Sequence, residues 1–120
     1  MSKILIVEDD LLNRALLQAV LKPEGFEILT AEDGWAGVEV AQREQPDVIL
    51  MAVMLPDLNG YEAIRRLKDQ RATRHIPIIA ITTNATTAER ERALEAGCDG
   101  YIAKPIDTQA LPRQVRLFLH

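Results

Sequence analysis

Apolar and polar positions along this chain follow two rhythms that trade places from end to end. Ile4-Leu5-Ile6-Val7 is an unbroken apolar run, the pattern of a strand buried on both faces. Leu11 to Leu21 then sets Leu12, Ala15, Leu16, Ala19 and Val20 at helical spacing, with core packing as the expected role of Leu12, Ala15 and Leu16. Asp9 or Asp10 supplies the N-cap, and Pro23 and Gly25 close the helix. Glu27 to Ala31 is a weaker strand, Gly34 to Gln45 a second helix stopped at Pro46, and Val48 to Ala52 a central strand. Leu58-Asn59-Gly60 leads into a helix carrying Ile64 and Leu67. Ile76 to Thr82 reads as a strand, Thr86 to Ala96 as a helix capped by Gly97, and Gly100 to Ala103 as the last strand. A final helix is predicted over Thr108 to Leu119, with Pro112 a turn inside it delaying its regular part or removing one backbone bond.

Five strand–helix units of this length predict a doubly wound α/β fold, a five-stranded parallel sheet with helices on both faces. Ligands of such sheets bind beyond the carboxyl ends of the strands, where the strand order reverses. Glu8-Asp9, Ala52, Thr82 and Lys104 each fall at or just past a predicted strand end, so residues remote in sequence are expected to meet at one edge.

Composition narrows the function. A single domain spanning 1–120 is the natural reading of 120 residues, 48% of them apolar, with no linker or repeat. No apolar stretch reaches the roughly 18 residues needed to span a bilayer, and the start, Met1-Ser2-Lys3 running straight into a strand, is not laid out as a signal peptide. A cytoplasmic protein with no membrane partner is expected. The net charge of −4 argues against nucleic acid, and the Arg65-Arg66-Leu67-Lys68 and Glu89-Arg90-Glu91-Arg92 stretches read as solvated helix faces. One cysteine, Cys98, excludes an internal disulfide and reads as a buried thiol; with only His75 and His120 beside it, a transition-metal cluster is not expected.

Adjacent carboxylates at a strand end are costly unless a cation or hydrogen bonds compensate them. Mg²⁺ suits oxygen donors with retained waters, whereas simple capping of the next helix is the plainer role for Glu8-Asp9. Lys104 and Thr82, taken singly, are an ordinary loop lysine and a strand-end threonine. Together, a metal, an ammonium and a hydroxyl can share the charge of a transferring phosphoryl group. Such a transfer also needs an acceptor oxygen, and Ala52 has none.

In Ile4-Leu5-Ile6-Val7-Glu8-Asp9-Asp10, Pro46 to Met51, Met54-Leu55-Pro56-Asp57-Leu58-Asn59-Gly60, Pro77 to Thr82, Ala96 to Tyr101 and Lys104-Pro105, the chain resembles the receiver domain of two-component response regulators. The resemblance covers essentially the whole length, without an appended effector, and implies the flavodoxin-like receiver architecture. It implies that Glu8, Asp9 and the Met54 backbone carbonyl hold Mg²⁺, Asp9 directly and Glu8 partly through water. Lys104 would pair with the phosphoryl group or the resting acceptor carboxylate, Thr82 would donate to a phosphoryl oxygen, and Tyr101 would swing inward on switching. The Lys104-Pro105 bond would be cis.

The phosphoacceptor aspartate of that family falls at Ala52. This chain is therefore expected to form no acyl phosphate there, to bind Mg²⁺ more weakly, and to leave Lys104 without its resting partner. Asp10 and Asp57 are conceivable surrogate acceptors, but Asp10 is assigned to capping and Asp57 to pointing away. Thr83, where receivers carry a smaller residue, adds bulk at the donor's approach. An engineered Asp-to-Ala replacement is favoured over a natural relative that signals without phosphate.

Partners implied by the resemblance are a sensor histidine kinase or histidine phosphotransfer protein, docked on the first helix, and a downstream protein on the face formed by Thr86 to Leu119. Of the apolar set there (Leu94, Ile102, Ile106, Leu111, Val115 and Leu119), part is core. Trp35 is expected to cover the sheet edge, with an exposed partner contact as the alternative. The competing classes are a phosphate-independent binding module and an enzyme on the same layout; the chain lacks the strand-end aspartate of a phosphatase and any Gly-rich phosphate loop, so no enzymatic activity is expected.

Overall fold

The computed structural model describes residues 2–119; Met1 and His120 lie outside it. Five strands, β1 (Lys3–Val7), β2 (Glu27–Ala31), β3 (Val48–Ala52), β4 (Ile78–Thr82) and β5 (Gly100–Ala103), form one sheet in the order β2-β1-β3-β4-β5, every pair parallel. Five α-helices, α1 (Leu11–Leu21), α2 (Gly34–Glu44), α3 (Gly60–Asp69), α4 (Thr87–Ala96) and α5 (Leu111–Arg116), connect and cover it.

The two-residue period of the strands sorts their side chains into two cores. Leu5, Val7, Ile49, Met51, Ile78 and Ala80 point to the face covered by Val38, Ala41, Ile64, Leu67, Ala93 and Ala96 of α2, α3 and α4. Ile4, Ile6, Val48, Leu50, Ile79, Ile81 and Ile102 point to the face covered by Leu17 and Leu21 of α1 and by Leu111 and Val115 of α5. With both faces covered, Ile4–Val7 of β1, Val48–Ala52 of β3 and Ile78–Ile81 of β4 have to be apolar, which is why they read as continuous runs. Helix starts are fixed by side chains that the sequence places just ahead of them. Asp10, Asp33, Asn59 and Thr86 accept from the backbone N–H of Asn13, Ala36, Tyr61 and Glu89 at 2.9, 2.8, 2.8 and 3.2 Å.

Three expectations are corrected. The buried stripe of α1 is Leu17 and Leu21, while Leu12 is 78% exposed and Ala15, Leu16 and Ala19 also face outward. Apolar residues occur on nearly every side of this helix, so spacing alone did not select the inner face. Ile76 and Pro77 precede β4 instead of opening it: the Ile76 N–H closes a turn onto the Thr73 carbonyl at 3.0 Å, and proline brings no ladder donor. Helix α5 has six residues: its late start beside Pro112 is as expected, Asp107 capping the preceding turn through the N–H groups of Gln109 and Ala110, but it ends at Arg116 and not Leu119, where the Phe118 and Leu119 N–H groups close tighter turns onto the Val115 and Arg116 carbonyls.

Candidate functional site

Strand order reverses at β1, whose neighbours are β2 and β3, and the crevice this creates opens beyond the carboxyl ends of β1 and β3. Backbone bonds carry the ladder to its rim. Glu8 N–H donates to the Ala31 carbonyl at 3.0 Å, Val53 N–H to Ile81 at 3.1 Å, and Lys104 N–H to Thr82 at 2.7 Å. These bonds fix Glu8, Ala52, Thr82 and Lys104 around one cavity of about 230 Å³, also lined by Asp9, Asp10, Met54 and Thr83.

Within it Glu8 is buried, with 2% of its surface exposed, whereas Asp9 and Met54 are exposed. The Glu8 Oε1 accepts from the Lys104 ammonium at 2.6 Å, and its Oε2 accepts from the Asp10 N–H at 3.3 Å. Lys104 was expected to lose its resting carboxylate at position 52; with only a methyl group at Ala52, the ammonium takes Glu8 as its partner instead. The compensation anticipated for the strand-end carboxylates comes, for Glu8, from this lysine.

Thr82 is buried, and its Oγ1 accepts from the Asn84 N–H at 3.0 Å. Tyr101 lies outside the cavity, half-buried on β5, with its hydroxyl donating to the Asn84 carbonyl at 3.0 Å. The Asn84 backbone therefore joins the two residues, and burial together with the Glu89 charge raises the Tyr101 hydroxyl above its ordinary range. The Lys104–Pro105 peptide is cis. Asp10 is the cap of α1, and Thr83 is exposed at the cavity mouth.

Asp57 is turned away, accepting from the Gly34 and Trp35 N–H groups at 2.8 and 3.1 Å. Desolvation raises its carboxyl, but donations from the Gly34, Trp35, Leu58 and Asp57 backbone outweigh it and the net shift is downward. This bond pins the loop after β3 to the start of α2. Gly60 fastens the other end of that loop: its N–H donates to the Val53 carbonyl at 2.9 Å, and a Cβ there would overlap the Ala52 carbonyl oxygen and sit 2.5 Å from Val53 Cα.

Two contributors were not anticipated. Arg14 of α1 donates to the Glu8 carbonyl at 2.8 Å and pairs with Glu32 at 3.4 Å, fixing the strand end from outside. A basic residue amid the apolar positions of α1, one turn after its cap, was the available signal. The Tyr61 hydroxyl donates to Glu89 at 2.6 Å, tying α3 to α4; burial, then that bond, pushes the Tyr61 hydroxyl well up. Arg90 and Arg92 lie over the Tyr101 and Tyr61 rings at 5.6 and 4.7 Å, and Lys68 reaches Asp99 at 2.8 Å, so these stretches are more than solvated faces. Trp35 does not join the core. It is 50% exposed, with the Arg66 guanidinium 4.5 Å from its ring centroid.

Residues 4–116 match the response regulator receiver domain family. The chain belongs to that family. The receiver is 35% identical over 116 residues to the polar-differentiation response regulator DivK of Brucella ovis, covering 97% of this chain and 94% of that one. In structure the receiver is similar to the receiver domain of the sensor histidine kinase PA1611 from Pseudomonas aeruginosa, with TM-score 0.91, 38% identity, and 98% and 96% of the two chains covered. That protein has a magnesium ion coordinated in its active site cleft. The chemotaxis protein CheY4 of Vibrio cholerae superposes with TM-score 0.93 at 28% identity over 99% of both chains.

The oxygen donors of this receiver are the type that hard cations take. Their arrangement is not. Glu8 is committed to Lys104, and residue 52 offers no side-chain donor. The site as it stands does not fit Mg²⁺ as a resident ion.

Proposed function

We propose that this chain is a response-regulator receiver whose phosphorylation site is disabled at Ala52, so that it stays in the unphosphorylated state. The observation that carries this reading is the alanine itself: its methyl group sits at the carboxyl end of β3, beside Glu8, Thr82 and Lys104, where an acceptor oxygen is required. In a chain with that oxygen, Lys104 and Thr82 would contact the phosphoryl group, while Asp9, Glu8 and the Met54 carbonyl would hold Mg²⁺. With Ala52, affinity for Mg²⁺ is weakened. The chain performs neither phosphotransfer nor its reversal and has no enzymatic activity of its own. The retained site favours an engineered Asp-to-Ala replacement, and the codon for residue 52 in the source genome decides it.

Its partners are a sensor histidine kinase or histidine phosphotransfer protein, and a downstream protein. The first would meet α1, whose Leu11, Leu12 and Leu16 are exposed; the second would meet the face of α4, β5 and α5, where Leu94 and Leu117 are exposed while Ile102, Leu111 and Val115 are core. We place it in the cytoplasm; among the described residues no helix is long and apolar enough to cross a membrane. The exposed apolar face of α1 also favours a second reading, a natural receiver relative that binds its partner without phosphate.

The test is incubation of this chain with Mg²⁺ and a small acyl-phosphate donor, followed by intact mass. No change is expected. A gain of one phosphate, mapped to Asp10 or Asp57, would overturn the reading.

A further inference from the structure

Glu8 and Lys104 are 96 residues apart in sequence, yet they form the shortest cross-sheet ion pair of the site, at 2.6 Å with 3% and 16% of their side chains exposed. A carboxylate this buried persists only if its charge and lone pairs are met. Lys104 meets the charge at Oε1, the Asp10 N–H meets Oε2, and Arg14 holds the Glu8 carbonyl so that the carboxylate stays aimed inward. Among the described residues no buried side-chain nitrogen or oxygen is left without a partner. The charge of Glu8 is met without any divalent ion.

We propose that in this chain Lys104 is the resident cation of the acidic site: its ammonium holds Glu8 as a counter-ion and thereby shuts out divalent metal. The proposal rests on the receiver reading above for the direction of the comparison with position 52. A carboxylate there would draw the ammonium away from Glu8 and release that residue toward a metal; the Ala52 methyl cannot. Removing the lysine should have the same consequence by a different route. Glu8 and Asp9 would face the cavity with no internal cation, and a hydrated Mg²⁺, which needs only one or two carboxylates and keeps its waters, could take the vacated charge position. Loss of a cation would create a cation site.

The experiment is calorimetric titration of Mg²⁺ into this chain, Lys104→Ala and Lys104→Gln, with sodium chloride of matched ionic strength as control and melting followed in parallel. Relief of the repulsion between a monovalent and a divalent charge a few ångströms apart gives at least about tenfold tighter binding. The expected result is saturable binding and a Mg²⁺-dependent rise in Tm for both variants, with neither for the parent in millimolar Mg²⁺. Lys104→Gln keeps a donor for Glu8 and guards against a fold lost in Lys104→Ala; if either variant folds only with Mg²⁺, the proposal is supported. Equal binding by parent and variants, or no binding by either variant with Mg²⁺ in excess, overturns it. Failure here is separable from failure of the receiver reading. Should Ala52→Asp accept phosphate while the Lys104 variants gain no Mg²⁺ site, only the lysine proposal falls. The reverse pattern would leave the lysine standing and sink the reading that Ala52 alone disables the site.

Discussion

Lys104→Met, measured in the presence of a chelator, should lower stability by about 3–5 kcal/mol, because it strands the Glu8 carboxylate in the interior. At 2.6 Å the two charges attract by roughly 6 kcal/mol for an effective dielectric of about 20. Desolvation of both ions offsets most of that, so the intact pair adds little; the loss appears when one partner is left alone. Glu8→Gln should cost less, about 1–2 kcal/mol, since the amide still bonds the Asp10 N–H and the lysine, at 16% exposure, can turn to solvent. The double variant should then lose less than the two single losses combined, by about 2 kcal/mol. Urea unfolding followed by far-UV circular dichroism reads these values, and the Lys104→Met midpoint should fall by about 2 M or more. Additivity of the two substitutions to within about 0.5 kcal/mol would refute the reasoning, because it would mean that Glu8 and Lys104 do not sense each other in solution.

Two further outcomes test how the cavity rim is held. Gly60→Ala places a methyl group against the Ala52 and Val53 backbone, which cannot yield as a side chain can, and should cost about 3 kcal/mol in the same urea assay; wild-type stability would show that the loop is not fastened there. Asp57 has its carboxyl held low in the folded state, so its contribution is present above the ordinary carboxylate pKa of about 3.9 and is lost as pH falls through the lower folded value. Asp57→Asn should therefore be less stable than the parent at neutral pH, with the gap closing below about pH 4; a gap independent of pH would contradict the assignment.

Why the strands and the site's location were readable in advance is clear from β1 and β3. Both are buried on each side, so hydrophobicity alone marks them, and the residue after such a run must stand at the sheet edge. Glu8, Ala52, Thr82 and Lys104 were placed by that argument. Helix faces were less legible. In α1 the polar Asn13, Arg14 and Gln18 are half-buried while Leu12 is exposed, so polarity does not mark the solvent side, and Leu12 was assigned inward. Asp107 and Pro112 shortened α5 by competing with its first turn. The pairing of Lys104 with Glu8 could not be read at all. It depends on the reach of one flexible side chain across a space that Ala52 leaves open, and spacing along the chain carries no such distance.

The central claim is that everything in this site except the acceptor is that of a working receiver. Ala52→Asp, incubated with Mg²⁺ and a small acyl-phosphate donor and weighed intact, tests it most directly. The account predicts a gain of one phosphate, mapped to residue 52 and abolished by a chelator. No gain, from a variant shown to be folded, would contradict it: Glu8, Asp9, Thr82 and Lys104 would then be remnants that no single carboxylate can restore.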